Sequence, residues 1–316
     1  MATTTSITTT YAGEAAAGYI SAALLASNTI ENGGLTVKPN IKYKEILRLF
    51  STDGLVANET CDFTDTSTIT TTEKILAVEN FQVNLELCKT TFRSDWDAMS
   101  MGASAFDNIP KTFEDYLLGY VAAKVATKNE QTIWHGVNAT AGEFDGLVTL
   151  ATADATVIDV AGPTVLSGGI TAANVVDELR KIVFAIPDSL YGDPELRIYV
   201  AQNVARAYVA SLGGYVATIG GSGTDNKGSQ WYDGGAGLSI DGVKIFVANG
   251  LTSNYMFAAK SSNLFYGTSL LSDLTFAKVL DMEDLDGSQN VRVIMRYAAG
   301  VQIGIGAEVV LGTPTP

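Results

Sequence analysis

Histidine, the side chain most often used for acid–base chemistry and metal binding near neutral pH, occurs once in this chain, as His135. A metal site would need further ligands, and no cysteine or second histidine accompanies it at metal-ligand spacing. A Ser-His-Asp triad would depend on this one histidine, and no Gly-x-Ser-x-Gly elbow is present. We therefore interpret His135 as a helix-end side chain that packs or hydrogen-bonds locally.

Two loops have the composition of ligand-binding motifs but not their order. The glycine-rich stretch at residues 220–229 reads Lys227-Gly228-Ser229, whereas a phosphate-binding loop needs Gly-Lys followed by Ser or Thr. The acidic run at residues 281–287 has Leu285 where an EF-hand calcium loop needs an oxygen ligand. The sequence therefore predicts no enzymatic activity, no metal and no cofactor.

Composition limits the class of protein further. The chain has 316 residues, of which 47% are hydrophobic and 17% charged, so it can bury a substantial core. Its formal net charge of −14 argues against a nucleic-acid binder that works by neutralising phosphates. Two cysteines, Cys61 and Cys88, are too few for a disulfide scaffold and indicate a reducing compartment. With no basic residue before Lys38 and no apolar run of ~18 residues, we expect a cytoplasmic protein without a membrane span.

One long helix organises the expected elements. From Thr112 to His135, apolar residues recur at the three-and-four spacing of a helix with one buried face. These apolar positions are Phe113, Tyr116, Leu117, Tyr120, Val121, Val125 and Ile133. Thr112 is expected to cap the helix and Gly136 to end it. A helix of this length spans roughly 36 Å and can form the backbone of an elongated subunit.

Two other segments have too little apolar sequence to form a core of their own. Residues 1–12 are rich in threonine, and either a floppy tail or an arm laid across a neighbour fits them. From Gly33 to Phe92, alternating polar and apolar residues predict a long two-stranded excursion. Its charges form either a solvated surface or patches that meet on adjacent copies. The basic stem has Lys38, Lys42, Lys44 and Arg48, and the acidic outgoing side has Asp53, Glu59, Asp62 and Asp65.

Short helices and strands alternate through the remainder of the chain, which predicts an α+β fold. The expected helices are Gly13–Ser27, Ala172–Ile186 capped by Thr171, and Asn203–Leu212. The expected strands are Leu196–Val200, Leu238–Ile240, Val243–Val247, Tyr255–Ala259, Asn263–Tyr266, Leu274–Met282 and Val291–Ile303. Asp241-Gly242 is a signal for a two-residue hairpin, and residues 143–147 are expected to form a turn.

The order of these parts resembles one family, the major capsid proteins of tailed bacteriophages with the Hong Kong 97-type fold. Residues 1–32 resemble its N-arm with a short helix, residues 33–92 its extended two-stranded loop (E-loop), and residues 112–135 its long spine helix. Several segments later in the sequence are similar to the beginning of the family's axial domain and to the late part of its chain. These are Phe144-Asp145-Gly146-Leu147, Asp241-Gly242-Val243-Lys244-Ile245, Gly250-Leu251, Asn254-Tyr255-Met256-Phe257-Ala258-Ala259 and Asn263-Leu264-Phe265-Tyr266-Gly267.

The resemblance implies a domain division and an assembly. It implies a peripheral domain of residues 93–150 and 260–300, which contains the spine helix, and an axial domain of residues 151–259 and 301–316. It also implies a virion shell, assembled in the host cytoplasm from hexamers and pentamers, that encloses double-stranded DNA without sequence-specific binding. The implied partners are copies of the chain itself, with scaffold, portal and decoration proteins as further candidates.

In such a shell the arm and the loop lap over neighbouring subunits. We therefore expect intersubunit contacts at Lys38, Lys42, Lys44, Arg48, Asp62, Asp65 and Lys74. Some members of the family crosslink a loop lysine to an asparagine of the next subunit. Lys74 is a loop lysine, but no feature of the sequence marks an asparagine partner, so we do not assign that chemistry here.

Two alternatives remain at this stage. An encapsulin-type nanocompartment would share the fold but contain protein cargo, so the contents of native particles distinguish it from a phage head. An acidic soluble enzyme or sugar-binding protein would use the glycine-rich and aromatic stretch Gly213–Gly237. Saturable binding or activity by a monomer would favour that alternative, whereas large closed particles in light scattering would exclude it.

Overall fold

The computed structural model describes residues 11–12, 28–54, 56, 58–59, 61, 67–88, 111–164, 169–212, 237–269 and 276–315. The expected helix Gly13–Ser27 and the glycine-rich loop at 220–229 lie outside the described residues. The described strands form two six-stranded sheets and one separate two-stranded ladder, and helices pack against the sheets. The mixed helix-and-strand class predicted from the sequence is therefore confirmed.

The helices and strands are numbered here in chain order. The strands are β1 (Tyr11–Ala12), β2 (Thr36–Lys38), β3 (Lys44–Asp53), β4 (Thr68–Ala77), β5 (Glu79–Cys88), β6 (Ile158–Thr164), β7 (Leu196–Val200), β8 (Ser239–Ile240), β9 (Val243–Val247), β10 (Met256–Lys260), β11 (Leu264–Thr268), β12 (Phe276–Asp281), β13 (Asn290–Ile303) and β14 (Val310–Thr315). The helices are α1 (Asn28–Glu31), α2 (Lys111–His135), α3 (Leu147–Ala153), α4 (Val175–Ala185), α5 (Gln202–Leu212) and α6 (Glu283–Asp286).

Sheet I consists of β1, β12, β13, β11 and β2 in that order, with β5 as a further partner of β13. The long strand β13 alternates between buried and more exposed residues along its first half, which is the period expected of a sheet with one covered face. Helix α2 covers that face. The cluster between them contains Leu118, Val121, Val125, Val279, Val291, Val293 and Met295.

Sheet II has the order β6, β14, β10, β7, β9 and β8. Helix α4 packs on β10 and β14 and contacts α5, so the largest core of the chain lies between these helices and the sheet. Trp134, at the far end of α2, reaches into the same core, with its ring 5.2 Å from that of Tyr199 and 5.7 Å from that of Phe257. One helix therefore connects the cores of both sheets.

Helix α2 begins one residue before the expected Thr112 and ends at His135, which confirms the long helix. The expected buried stripe is only partly correct, because Tyr120 is 54% exposed whereas Leu118 and Ala122 are buried. The side chains of Phe113, Tyr116 and Leu117 lie outside the described residues. The first half of α2 packs on one sheet, and its end packs in another core. Different faces of the helix are therefore buried along its length, whereas a single apolar stripe predicts one buried face throughout.

The end of α2 is set by close packing around Gly136. A side chain at this position would collide with the carbonyl oxygen of Phe144, and Gly146 donates a backbone hydrogen bond to the Gly136 carbonyl at 2.9 Å. The turn at 143–147 therefore folds back directly onto the helix end. Gly136 therefore ends the helix as expected, and glycine is needed here for the close approach of two backbone segments.

Two other local expectations differ from the structure. Residues 147–153, for which no helix was predicted, form the short helix α3. Thr171 does not cap the next helix, because α4 starts at Val175 after Asn174, whose side-chain oxygen instead accepts a hydrogen bond from the Thr171 N–H at 2.7 Å. Short apolar runs are ambiguous between helix and strand, and tertiary packing decides between them.

The hairpin between β8 and β9 and the link between β12 and β13 are confirmed. Asp241 and Gly242 have φ angles of 46° and 83°, as a two-residue hairpin turn of type I′ requires. Strands β12 and β13 pair antiparallel, and the acidic segment between them ends at Gly287. Strands β10 and β11, expected beside each other, lie in different sheets.

The two-stranded segment expected at residues 33–92 is only partly separate from the body of the chain. Strands β2 and β5 belong to sheet I, so only β3 and β4 form a separate ladder. The reason is visible in β5, where every second residue is partly buried. These residues are Phe81, Val83, Leu85 and Leu87, of which the last three pack against the α2 cluster.

Candidate assembly surface

The ladder of β3 and β4 belongs to neither six-stranded sheet. Its two ten-residue strands pair from Lys44 opposite Ala77 to Asp53 opposite Thr68. At about 3.3 Å per residue the ladder is roughly 33 Å long. A two-stranded ribbon cannot enclose a core, so one of its faces must meet either water or another molecule.

The two faces of the ladder differ in burial. On one face Leu47 and Leu76 are buried with Ile41, Val78 and Ala298 of the same chain. The opposite face, called here the ladder face, consists of Ile46, Phe50, Ile69 and Ile75, which are 51%, 71%, 66% and 49% exposed. The register places all four side chains on one side, because Ile46 is opposite Ile75 and Thr52 is opposite Ile69.

Large apolar side chains gathered on one exposed face are characteristic of an interaction site. Arg48 and Glu73 lie within the ladder face as a cross-strand pair, with Arg48 Nε 3.8 Å from Glu73 Oε1. Both side chains are more than half exposed, so the pair contributes little to stability. Its position inside an apolar face suits selection of a partner that offers matching polar groups.

Polar contacts fix the base of the ladder to the body. Lys74 Nζ lies 2.6 Å from Asp154 Oδ2, and Gln302 donates a hydrogen bond to the Ile75 carbonyl at 2.7 Å. Lys38 Nζ lies 2.6 Å from Glu45 Oε1. The hydrogen bond from Lys74, with further ones from Thr156, lowers the pKa of Asp154 to about 2. The direction in which the ladder projects is therefore set within one subunit.

The residues expected to contact other subunits are thus partly engaged inside the chain. Lys38, Arg48 and Lys74 form the three ion pairs just described. Lys44 lies over the ring of Tyr43 at 5.1 Å, and Lys42 lines a groove at the base of the ladder. Asp62 and Asp65 lie outside the described residues. Whether any of the seven contacts another subunit stays a prediction.

The apolar ladder face was not predicted from the sequence, because the charges of this segment are its more conspicuous feature. A signal was present in the alternation of Ile46, Arg48 and Phe50, three residues on one side of β3. What the sequence could not give was the orientation of the strand. The same alternation fits a strand whose apolar side is covered by its own subunit.

The opening segment is attached to its own chain at two described points. Tyr11–Ala12 pairs with Val279 and Lys278 at the edge of sheet I. Thr29 is buried and donates its N–H to Glu130 Oε2 at 3.2 Å and its hydroxyl hydrogen to Glu130 Oε1. The Trp134 indole in turn donates to Thr29 Oγ1 at 3.0 Å. These described positions are therefore held by contacts within their own chain, and an arm laid across a neighbour stays a prediction for residues 1–12.

His135 has the local role that we expected. Its Nε2 accepts a hydrogen bond from the Thr252 N–H at 3.0 Å, and its ring packs edge-on against Tyr255 with a centroid distance of 4.7 Å. Burial lowers the pKa of His135. The side chain therefore fastens the end of α2 to the segment before β10 as a neutral imidazole. Among the residues that the structure describes, no helix is both long and apolar enough to cross a bilayer.

Solved structures of capsid proteins share the fold of this chain. The chain superposes on the capsid of a native GTA particle with a TM-score of 0.60 at 13% identity, covering 93% of this chain and 90% of the other. It matches the capsid of Myoviridae phage XM1 with a TM-score of 0.56 at 10% identity, covering 91% and 92%. A structure from Mycobacterium phage Cain gives a TM-score of 0.56 at 15% identity, covering 93% of each chain.

These likenesses establish the fold over nearly the whole chain, in agreement with the resemblance noted from the order of the elements. No family model and no curated protein matches the sequence. The chain therefore has the fold of phage capsid proteins, at sequence identities of 10–15%.

Proposed function

We propose that this chain is the major capsid protein of a tailed phage, which assembles into an icosahedral shell around double-stranded DNA. The observation that carries the proposal is the ladder face, with its four large apolar side chains exposed on a ribbon that projects from the subunit. The matched structures, which are capsids, support the same role and do not favour an encapsulin-type compartment.

The parts of the fold can be assigned to the Hong Kong 97-type plan. We assign sheet I with α2 to the peripheral domain, sheet II with α4 and α5 to the axial domain, and the β3–β4 ladder to the extended loop. Sheet membership supports this division, because β11 and β13 fall in sheet I whereas β7, β9, β10 and β14 fall in sheet II. Residues before α1 correspond to the arm.

Self-association follows from the exposed surface of the ladder. Full burial of one large apolar side chain contributes about 1.5–3 kcal/mol, and the four side chains of the ladder face are roughly half exposed or more. One contact therefore stabilises a pair of subunits only modestly. A closed shell repeats that contact for every subunit, so modest contacts suffice to hold hexamers and pentamers together.

Enclosing DNA does not require the shell to bind it. With a formal net charge of −14, the chain as a whole does not attract the phosphates of DNA. A shell wall that binds DNA weakly suits a genome that is later released. The shell therefore encloses the DNA without binding it sequence-specifically. Scaffold, portal and decoration proteins are candidates for further contacts.

Electron microscopy of the purified protein, with sedimentation of the same sample, tests this function. We expect hexamers, pentamers or closed shells of uniform diameter. A protein that remains monomeric over the whole accessible concentration range would contradict the proposal. DNA within particles from native cells would support a phage head, and a packed protein would support a nanocompartment.

A further inference from the structure

Two short connections between sheets I and II run side by side. The first connects β10 of sheet II to β11 of sheet I, and the second connects β13 of sheet I to β14 of sheet II. In sheet II, Ala258 of β10 pairs with Val310 of β14. In sheet I, Leu264 of β11 pairs with Ile303 of β13. Because the strands are neighbours at both ends, the two connections form one junction between the sheets.

Asn263 fastens these two connections to each other. It is buried and directly precedes β11, whereas Ile305 lies two residues beyond the end of β13. Asn263 Oδ1 accepts a hydrogen bond from the Ile305 N–H at 2.7 Å, and Asn263 Nδ2 donates one to the Ile305 carbonyl at 2.9 Å. The Gly304 N–H donates to the Asn263 carbonyl at 3.0 Å. The side-chain amide therefore pairs with the backbone as a neighbouring strand would, at the point where the chain leaves sheet I.

The contact between Asn263 and Ile305 lies beside open space. A groove of about 420 Å³ has Asn263, Gly304 and Ile305 in its lining, and Ile305 is 39% exposed. An apolar core shared by both sheets holds them together, but hydrophobic burial is non-directional. Hydrogen bonds have preferred distances and angles. The amide of Asn263 is therefore better suited than the core to set the angle at which the sheets meet.

We infer that Asn263 is a positioning residue for assembly, whose amide fixes the angle between sheet I and sheet II and thereby the curvature of the shell. The inference rests on the proposed function, in which both sheets belong to bodies that meet neighbouring subunits. In a closed assembly, the rotation from one subunit to the next determines whether the assembly closes. Because every subunit contains the same junction, a small change of angle repeats around the shell and alters its diameter.

Two substitutions disturb the junction from opposite sides. Asn263→Ala removes both side-chain hydrogen bonds to Ile305. Gly304→Ala keeps Asn263 but adds a methyl carbon that would lie 2.6 Å from Asn263 Oδ1, so the amide must move. Asn174→Ala is the matched control. The Asn174 amide also accepts a hydrogen bond from a backbone N–H and donates one to a backbone carbonyl, but it does so next to α4 and away from the junction.

Electron microscopy of the assembled particles measures the effect on curvature. We expect the spread of particle diameters to widen about twofold or more for Asn263→Ala and for Gly304→Ala, with open or irregular shells among the products. The spread should stay at the wild-type value for Asn174→Ala. Urea unfolding of each variant measures the accompanying loss of stability, so that an effect on curvature is separated from a general weakening of the fold.

Spin labels report the angle between the sheets in subunits that do not assemble. One label is placed on the exposed Cys88 of β5 and the other on Lys244→Cys, at an exposed position of β9. Cys61→Ser removes the other thiol. We expect a broader distribution of label-to-label distances with Asn263→Ala or Gly304→Ala than with the wild-type junction or with Asn174→Ala.

The outcomes separate this inference from the proposed function. Wild-type diameters from both junction variants, or equal broadening from Asn174→Ala, would overturn the inference and leave the proposed function standing. A wild-type chain that forms no shells would instead contradict the proposed function. If the junction variants fold but do not assemble, a broadened label distribution supports the inference and an unchanged one overturns it. Should Asn263→Ala not fold, Asn263→Asp, which keeps the acceptor for the Ile305 N–H, takes its place.

Discussion

Lys74 on β4 and Asp154 at the end of α3 form a 2.6 Å ion pair that ties the projecting ladder to the body of the same subunit. Lys74 is thus engaged within its own chain, and its expected contact with a neighbour stays a prediction. A ladder held at one angle presents its apolar face in a fixed direction. We predict that the pair supports assembly by fixing the ladder, which does not require either residue to touch another copy.

The Lys74–Asp154 pair makes stability depend on pH in a defined range. Asp154 has a pKa of about 2 in the folded chain, below the ordinary aspartate value of 3.8. Its contribution to stability is therefore complete above about pH 4 and is lost as the pH falls toward 2. We expect Asp154→Asn to lower the free energy of unfolding at pH 7 by about 1 kcal/mol, a modest value because Lys74 is partly exposed. Urea unfolding at pH 7 and pH 3 measures the difference, which should shrink at the lower pH. Asp188→Asn, at an exposed position, is the control. An equal effect of both substitutions would show that the Lys74–Asp154 pair does not stabilise the fold.

Substitutions on the ladder face should separate assembly from folding. Phe50→Ser and Ile69→Ser remove apolar area that is already exposed in the subunit, so the free energy of unfolding should change by no more than about 0.5 kcal/mol. Particle yield, measured by sedimentation, should fall severalfold for each and further for the pair. Phe184→Ser is the matched control, because Phe184 is 81% exposed on α4, away from the ladder. Equal losses from Phe50→Ser and Phe184→Ser would mean that the ladder face has no special part in assembly.

The hydrogen bonds of Thr29 should matter for the stability of the single subunit. Thr29→Val keeps the shape of the side chain but leaves the buried Glu130 carboxylate and the Trp134 indole short of a partner. We expect a loss of about 1–3 kcal/mol in the free energy of unfolding, visible as a lower midpoint in thermal denaturation. Thr252→Val, at an exposed side chain, should have little effect. A wild-type midpoint for Thr29→Val would show that the opening segment is not anchored there.

Two glycines of the α2 region should respond in opposite ways to alanine. At Gly136 an added methyl group would strike the Phe144 carbonyl, whereas nothing lies within 4 Å of the corresponding position at Gly119. Gly119→Ala should therefore stabilise the chain by about 0.5–1 kcal/mol through helix propensity. Gly136→Ala should destabilise it and displace the turn at 143–147. Chemical denaturation of both variants distinguishes this from a general intolerance of α2 to substitution.

The sequence predicted the periodic elements well and their partners poorly. The spacing of apolar residues was sufficient for α2, and Asp241-Gly242 was sufficient for the hairpin, because both signals are local. The sheet membership of β5 depended on pairing with β13, more than two hundred residues away. No local pattern specifies such a partner.

The assembly surface illustrates the same limit. The charges of the stem drew attention to Lys38 and Lys74, which the fold uses internally, while Ile46, Phe50, Ile69 and Ile75 read as ordinary strand residues. Only the register of β3 against β4 shows that all four share a face. Only the position of Leu76 in a buried cluster shows that this face is the outer one.

We propose that the outer part of the ladder is needed between subunits and not within one. This proposal is tested most directly by removing that part and imaging the product. Replacing residues 50–71 by an Asn-Gly turn keeps the cross-strand pair of Leu49 and Thr72 and all the contacts of the ladder base. We expect a soluble, folded subunit with near wild-type thermal stability that forms no closed shells in electron micrographs. Normal shells from this variant would show that the outer part of the ladder is not needed for assembly.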